Sequence, residues 1–238
     1  MSELTQYLAS RTYPGRGIAI GLSNDKENTV IVYFIMGRSE NSRNRVFEKT
    51  PDGIRTRPFD PAKLIDPSLI IYHPVREYED KLIVTNGDQT DTVYAHLQQG
   101  LSFHDALLTR TYEPDAPNYT PRISALLQMD SCFPRCELSI LRKPQNSTRC
   151  ERAFFHYETF LPGVGHILHT YQNDGDPLPS FAHDPVCVTL PAGNIDACTE
   201  EIWSALHTEN RVALYVCCWH MPSGEKTMRI INRHQGIL

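Results

Sequence analysis

An arginine-rich segment directly follows a strongly apolar stretch in the first quarter of the chain. The apolar run Val30 to Met36 leads into GRSENSRNR at positions 37–45, and positions 38–57 hold six basic and three acidic side chains. The guanidinium fork of arginine binds phosphate or carboxylate through paired hydrogen bonds, and asparagine and serine side chains contact the polar edges of a ligand. The segment predicts a compact anion site, with a solvated basic hairpin loop as the alternative.

A second polar segment, TNGDQTDT at positions 85–92, lies between a predicted strand and a predicted helix. A glycine turn that leads into a helix leaves backbone N–H groups free, and these groups bind an anion or a carbonyl oxygen. The alternative is plain capping, in which Asp88 is the N-cap and Asp91 follows three residues later. The two interpretations are compatible, because a capped helix can still face a ligand.

A third polar segment, YEPDAPNYTPR, occupies positions 112–122. Glu113 and Asp115 lie in a proline-rich loop, where carboxylates held near arginines can act as a base or as ligand anchors. A polar turn without function is the alternative. Tyr72, within IIYHP at positions 70–74, is a further candidate, although a half-buried strand tyrosine would look the same.

The usual patterns for metal binding and for nucleophilic catalysis do not fit this sequence. The spacing of Cys132, Cys136 and Cys150 with His156 is too irregular for a zinc finger. No Gly-x-Ser-x-Gly nucleophile elbow occurs. We therefore expect no metal site.

Short strands must position these polar segments, because apolar residues alternate over short stretches more often than they follow a helical period. Three helices are predicted, at positions 89–99, 102–110 and 196–207, the second of them capped by Ser102. Eleven predicted strands are rich in Val, Ile, Tyr, Phe and Thr, and they span positions 16–22, 29–36, 68–75, 81–85, 123–129, 137–142, 152–157, 166–172, 186–190, 212–220 and 227–232. Many strands with few helices predict an α+β fold of two packed sheets with helices outside, and residues 1–238 are expected to form a single domain.

Composition narrows the class of protein. The 238 residues are 40% hydrophobic and 21% charged, which is ordinary for a globular protein and excludes disordered and coiled-coil classes. The net charge of -5 argues against nucleic-acid binding and against a polybasic membrane contact. Apolar runs are too short to cross a bilayer, and the first residues lack the apolar core of a secretory signal. We expect a cytoplasmic protein whose seven cysteines are reduced and mostly buried.

In chain order, the polar segments resemble the archaeal-type IMP cyclohydrolase family. The most specific pieces are Gly-Arg-Ser-x-x-x-x-Asn-Arg at 37–45 and Asn-Gly-x-x-Thr-Asp-Thr at 86–92. Tyr13-Pro-Gly-Arg-Gly, the apolar residues from Tyr33, Tyr72, and the segment from Tyr112 to Ile123 add to the resemblance. It covers about residues 11 to 125. The sequence departs from the family pattern in a longer N-terminus, in Tyr119, and in a C-terminal half without matching residues.

The resemblance implies a four-layered αββα sandwich similar to N-terminal-nucleophile hydrolases, without a processed nucleophile. It implies a purine ribotide as substrate, with ring closure of 5-formamidoimidazole-4-carboxamide ribotide (FAICAR) to inosine monophosphate (IMP) and loss of water. Both reacting groups stand on one imidazole, so the enzyme need not bring two molecules together, and no cofactor is implied. A homo-oligomer is also implied.

Roles for individual residues follow from the same resemblance. Glu113 is expected to be a general base or a water-positioning carboxylate, and Tyr72 a proton donor to the formyl oxygen. Arg38 and Arg45 supply positive charge in catalysis or bind the 5′-phosphate. The expected substrate-binding set is Arg16, Tyr33, Asn44, Asn86, Gly87, Thr90, Asp91 and Arg122.

Two alternatives stay open at the level of sequence. A nucleotide-binding homologue without catalysis would keep the arginines but tolerate loss of Glu113 and Tyr72, both of which are present. An amidohydrolase on the same fold would need a nucleophile, for which Cys132 or a processed Ser2 are the only candidates.

Overall fold

The computed structural model describes residues 1–64, 67, 70–129, 134–144 and 147–237, and these residues contain fifteen strands and five α-helices. The helices are α1 (Leu4–Ala9), α2 (Glu40–Arg43), α3 (Gln89–Gln98), α4 (Phe103–Leu108) and α5 (Ile195–Ala205). The strands are β1 (Ser2–Glu3), β2 (Arg16–Leu22), β3 (Asn28–Met36), β4 (Val46–Thr50), β5 (Gly53–Arg57), β6 (Val75–Tyr78), β7 (Lys81–Thr85), β8 (Arg122–Met129), β9 (Pro134–Arg142), β10 (Glu151–Tyr157), β11 (Val164–His169), β12 (Val186–Thr189), β13 (Arg211–His220), β14 (Lys226–Asn232) and β15 (Gly236–Ile237).

The strands form two sheets. One has eight strands in the order β1-β12-β11-β2-β3-β13-β14-β15, and the other has seven in the order β10-β9-β8-β7-β6-β5-β4. Neighbouring strands are antiparallel except for the short parallel pair of β1 and β12. The prediction of an α+β fold with two large sheets and few helices is confirmed.

The central strand β3 shows how the sheets and helices are held together. Ile31, Tyr33 and Ile35 point into a core that also contains residues of the seven-stranded sheet, such as Leu82 and Ile123. The intervening side chains of β3 face the other way, because successive residues of a strand point to opposite faces. Burial on both faces explains why β3 reads as one continuous apolar run.

Helices cover the outer faces of both sheets. Leu4 and Leu8 of α1 and Ile202 of α5 pack against the outward residues of the eight-stranded sheet. Phe103 and Leu107 of α4 pack, together with α3, against the seven-stranded sheet. Ser102 caps α4 through a capping box with Asp105, as predicted. Within the described part of the chain, no helix is long and apolar enough to cross a membrane.

The predicted strand at 68–75 is wrong at residues 70–74. Residues 70–74 form an irregular segment, β6 begins only at Val75, and Ser68 lies outside the described residues. Proline at position 74 lacks an N–H for a ladder. The side chain and the backbone N–H of Thr56 bond instead to the backbone of Ile70 and Tyr72, which holds this partly buried segment without a regular ladder.

The hairpin of β4 and β5 and the short helices α1 and α2 were not predicted. β4 is an edge strand, and charged residues such as Glu48 and Lys49 interrupt its apolar alternation. The predicted capping role of Asp88 is also wrong. Asp88 stands at the N-cap position of α3 without a side-chain capping bond, because its carboxylate pairs with Arg110 and Arg122 instead.

Candidate active site

A cavity of about 320 Å³ lies where the start of β2 and the ends of β3 and β11 meet the loop that precedes β8. Its wall comes mainly from four segments of the chain, within residues 13–16, 36–45, 113–120 and 171–178. The volume is at the lower end of the range of small-molecule sites. Three arginines and two carboxylates lie on the wall, which makes it strongly polar: Arg16, Arg38, Arg45, Glu113 and Asp115.

A buried ion pair of Arg16 and Glu113 stands on this wall. Nη2 of Arg16 lies 3.0 Å from Oε2 of Glu113, and the side chains are only 11% and 3% exposed. Burial raises the pKa of Glu113, although the charges of Arg16 and Arg122 act against that rise. Burial alone would lower the pKa of Arg16, but Glu113 and neighbouring tyrosines outweigh it and raise that pKa. A carboxylate with a raised pKa is a stronger base than an exposed one.

Arg45 contributes a buried cation. Its Nε donates to the carbonyl of Ser42 at 2.9 Å, and within the described residues no carboxylate forms an ion pair with it. The short helix α2 fixes this part of the wall, because Ser39 and Ser42 form a capping box at its N-terminus. A buried guanidinium without a carboxylate partner on a cavity wall is suited to bind an anionic group.

Arg38 is placed differently from Arg45. It is partly exposed, and its Nη1 pairs with Asp174 at 2.5 Å and also donates to the carbonyl of Gly175. Its guanidinium lies 5.1 Å from the ring centroid of Tyr13. Arg38 therefore reaches the cavity with part of its charge already neutralised.

Two pairs of hydroxyl groups lie near the ion pair. The hydroxyls of Tyr33 and Tyr72 are 2.8 Å apart, and both side chains are buried without lining the cavity. Burial raises the pKa of Tyr33. On the cavity wall, the hydroxyl of Tyr171 bonds that of Thr120. Burial also raises the pKa of Tyr171, so this phenol stays neutral near neutral pH.

Two further predicted residues, Gly87 and Arg122, lie around the turn before α3. An added Cβ at Gly87 would be 2.7 Å from Nη1 of Arg122 and 3.5 Å from Oε1 of Glu113, so this turn approaches the ion pair closely. Arg122 bonds Asp88 and Gln89. The cavity wall does not include Gly87, Arg122 or the two partners of Arg122.

Four predicted binding residues are engaged elsewhere. Asn86 bonds the backbone of Pro121 and Ile123, and Thr90 bonds Thr85 and the carbonyl of Gly87. These contacts tie the turn to β8 rather than face the cavity. For the other two, the side chain of Asn44 bonds both backbone groups of Asp60, and Asp91 pairs with Arg76 at the surface.

The structure adds residues to the site that were absent from the predicted set, above all Tyr171. Its position in the C-terminal half carried no family signal, and the predicted strand at 166–172 ends earlier, at His169. Asp115 and Thr120 belong to a segment that was singled out, and their nearness to Glu113 was the available signal. Ser2 lies in the edge strand β1 and does not line the cavity, and Cys132 is outside the described residues.

The described residues contain no group of three or more His, Cys, Asp or Glu side chains arranged to hold a metal ion. The cavity wall itself offers an ion pair, further arginines and hydroxyl groups.

Comparisons with known proteins identify the family of this chain. A family model described as IMP cyclohydrolase-like protein matches residues 13–222. The chain is similar to the IMP cyclohydrolase of Methanococcus maripaludis strain C7, with 34% identity over 126 residues, 51% of this chain and 61% of the relative. It is also similar to the IMP cyclohydrolase of Methanopyrus kandleri strain AV19, with 25% identity over 193 residues, 72% of this chain and 90% of the relative.

The alignment with the Methanococcus protein spans less than two thirds of that relative's length. The family match is broader and takes in all four segments of the cavity wall, including the one that carries Tyr171. The chain belongs to the IMP cyclohydrolase-like family.

Proposed function

We propose that this protein is an IMP cyclohydrolase, which closes the six-membered ring of FAICAR to give IMP and water. The observation that carries the proposal is the buried ion pair of Arg16 and Glu113 on the wall of a cavity that Arg45 also lines. The names of the similar proteins support the same reaction. The substrate class is a purine ribotide.

The reaction sets clear demands on the site. The carboxamide nitrogen of FAICAR is a poor nucleophile, so the enzyme must orient it against the formyl carbon and accept a proton from it. When the C–N bond forms, the carbonyl electron pair moves to the formyl oxygen, which must be stabilised and protonated. Loss of a second proton from nitrogen then expels that oxygen as water. Two protons leave nitrogen, and the oxygen gains two.

Glu113 is suited to take one of these protons. Its carboxylate has a raised pKa, and Arg16 holds it in place. It acts as general base, directly or through a positioned water molecule. Tyr72, which lies behind the cavity wall with its hydroxyl 2.8 Å from that of Tyr33, is the proposed source of the proton for the formyl oxygen.

The arginines divide between two tasks. Arg45 binds the 5′-phosphate of the ribotide, because it is buried and has no carboxylate partner among the described residues. Arg38 is already paired with Asp174, so it adds weaker positive charge at the cavity entrance. The ion pair is flanked, on the side away from the cavity, by Tyr33, Gly87 and Arg122.

We further propose that helices, two sheets and helices make one four-layered αββα domain similar to N-terminal-nucleophile hydrolases. Support comes from the core shared by the two sheets and from the helices packed on their outer faces.

The test is to incubate the purified chain with FAICAR and to follow IMP by chromatography. We expect IMP at a rate that far exceeds the protein-free control, and Arg45→Met should raise KM at least about tenfold, as expected for loss of a phosphate contact. The exposed residue Arg55 gives a control, Arg55→Met, that should behave as wild type. Ribotide binding without IMP formation would overturn the proposal in favour of a catalytically silent binder.

A further inference from the structure

A chain of hydrogen bonds runs along the cavity wall from Asp115 through Thr120 to Tyr171. The hydroxyl of Thr120 donates to Oδ2 of Asp115, and the backbone N–H of Thr120 donates to Oδ1 of the same carboxylate at 2.6 Å. The hydroxyl of Tyr171 bonds that of Thr120. All three residues line the cavity, and Thr120 and Tyr171 are buried.

The carboxylate fixes the direction of every bond in this chain. An ionised carboxylate can only accept hydrogen bonds, and threonine has a single hydroxyl proton to give. Because Thr120 gives that proton to Asp115, the bond between Thr120 and Tyr171 requires Tyr171 to be the donor. The lone pairs of the Tyr171 oxygen are therefore free to accept a hydrogen bond from a ligand in the cavity.

The ring of Tyr171 is held firmly in this orientation. It stacks on Tyr13 with 5.9 Å between the ring centroids and 18° between the planes. Gly15 lies against its edge, where an added Cβ would be 2.6 Å from Cδ2 of Tyr171. The carbonyl of Tyr171 accepts from Nδ1 of His169 at 2.8 Å. A preorganised acceptor of this kind orients a ligand N–H without a large entropic cost.

The chain of hydrogen bonds from Asp115 to Tyr171 is also connected to the ion pair of Arg16 and Glu113. The backbone N–H of Glu113 donates to the carbonyl of Thr120 at 2.9 Å, which closes the loop that carries both Glu113 and Asp115. Glu113 and the relay of Asp115, Thr120 and Tyr171 thus form one rigid unit at the start of β8. Two proton acceptors on one unit match a reaction that removes protons from two nitrogens.

We infer that Tyr171 is a further catalytic residue of the ring closure, and this inference rests on the proposed function. The Tyr171 oxygen accepts the N–H of the reacting carboxamide. As the C–N bond forms, this proton passes to Tyr171, Tyr171 passes its own to Thr120, and Thr120 passes its own to Asp115. Asp115, which is only partly buried, returns the proton to solvent. Glu113 takes the second proton, from the formamide nitrogen, when water departs.

The test compares kcat and KM for IMP formation in matched variants. Tyr171→Phe keeps the ring and removes the relay hydroxyl, and Thr120→Val breaks the relay behind an intact Tyr171. We expect both to lower kcat by about a hundredfold, the lower end of the usual range for acid–base groups, with KM changed less than about threefold. Thr120→Ser restores a hydroxyl and should recover most of the kcat. Tyr157→Phe, in β10 and away from the cavity, is the tyrosine control.

The outcomes separate this inference from the proposed function. Wild-type turnover with an unchanged kcat in Tyr171→Phe, or a kcat for Thr120→Ser as low as that of Thr120→Val, would overturn the relay and leave the cyclohydrolase proposal intact. Failure of the wild type to form IMP would overturn the proposed function itself. A rise in KM alone in Tyr171→Phe would limit Tyr171 to binding and contradict its part in proton transfer.

Discussion

Arg16 and Glu113 stabilise each other's charge in a place where neither is solvated. Moving one such ion out of water costs several kcal/mol, and the cost is offset only when both partners are present in good geometry. The distance of 3.0 Å and the near-complete burial of both side chains meet that condition. A buried pair of this kind is a weak source of stability, so its position on the cavity wall is better explained by chemistry.

Removing one partner should therefore cost more than removing both. Arg16→Met leaves a buried carboxylate without its partner, and we expect the free energy of unfolding to fall by about 3 to 5 kcal/mol. Glu113→Gln in the same background should restore part of that loss, because the uncompensated charge is gone. Denaturant unfolding of the four proteins at pH 7 measures the coupling. Strictly additive effects would contradict the account of this pair.

Some of the site residues that the sequence predicts line the cavity, and others do not. Glu113, Arg16, Arg38 and Arg45 were predicted from motifs, and the structure places all four on the cavity wall. Asn44 and Asn86 belong to the same motifs, yet they bond the backbone of other segments. A motif does not distinguish a side chain that faces a ligand from one that holds the turn beside it, because both are polar and fixed in position.

At the scale of elements, the ends of β2 and β11 set the shape of the site. Gly15 precedes β2 with a φ of +79°, and an added Cβ there would be 2.2 Å from Oγ1 of Thr170. A left-handed backbone conformation is unfavourable for residues with a Cβ, and the surrounding side chains leave no room for one. This turn brings the starts of β2 and of the Tyr171 segment together.

Gly15→Ala should lower the free energy of unfolding by about 2 to 4 kcal/mol, from backbone strain together with overpacking. Gly100 is the matched control, because its φ is +73° and an added Cβ would meet nothing within 4 Å. Gly100→Ala should therefore cost only the strain, about 1 to 2 kcal/mol. Thermal or denaturant unfolding gives both values. Equal losses in the two variants would show that close packing at Gly15 is unimportant.

His169 at the end of β11 makes the stability of this strand depend on pH. Burial lowers the pKa of His169 to about 3, despite the bond to the carbonyl of Tyr171. Because that carbonyl can only accept, Nδ1 carries the proton, and Nε2 accepts from the hydroxyl of Tyr7 at 2.7 Å. The folded protein thus holds this imidazole neutral in conditions where the unfolded chain would protonate it.

The sign of the effect follows from this difference. The folded pKa lies below the unfolded value near 6.5, so the stabilisation from His169 is present above pH 6.5 and is lost as pH falls toward 3. Between pH 7 and pH 5 we expect this residue to remove about 2 kcal/mol of unfolding free energy. His169→Gln should flatten the dependence by that amount in parallel denaturation series. An identical slope in the variant would contradict the assignment.

Elements that depend on burial were predicted well, whereas the irregular segment at 70–74 was not. The apolar strands β2, β3, β7 and β13 have nearly the predicted bounds. The segment at 70–74 also contains apolar residues, but it is held by the backbone and side chain of Thr56 rather than by a regular ladder. An apolar pattern predicts that a segment is buried. It predicts a strand only where the backbone can also form hydrogen bonds with a neighbouring strand.

At the scale of the whole molecule, the cavity exists because distant parts of the chain meet at the ends of inner strands. β11 pairs with β2 across about 150 residues of sequence, and this pairing carries Tyr171 to the side of Arg16. No local pattern predicts such a juxtaposition, since it depends on strand order. The family match over residues 13–222 agrees with a site built from both halves of the chain.

The most direct test of the central claim is the rate of IMP formation from FAICAR by the wild type and by Glu113→Gln, each with its affinity for IMP measured by calorimetry. The account predicts that the variant binds IMP within about fivefold of the wild type while kcat falls by about a hundredfold or more, as expected for loss of a general base. Glu137→Gln, on β9 and outside the cavity, is the matched control. Undiminished ring closure by Glu113→Gln would contradict the account.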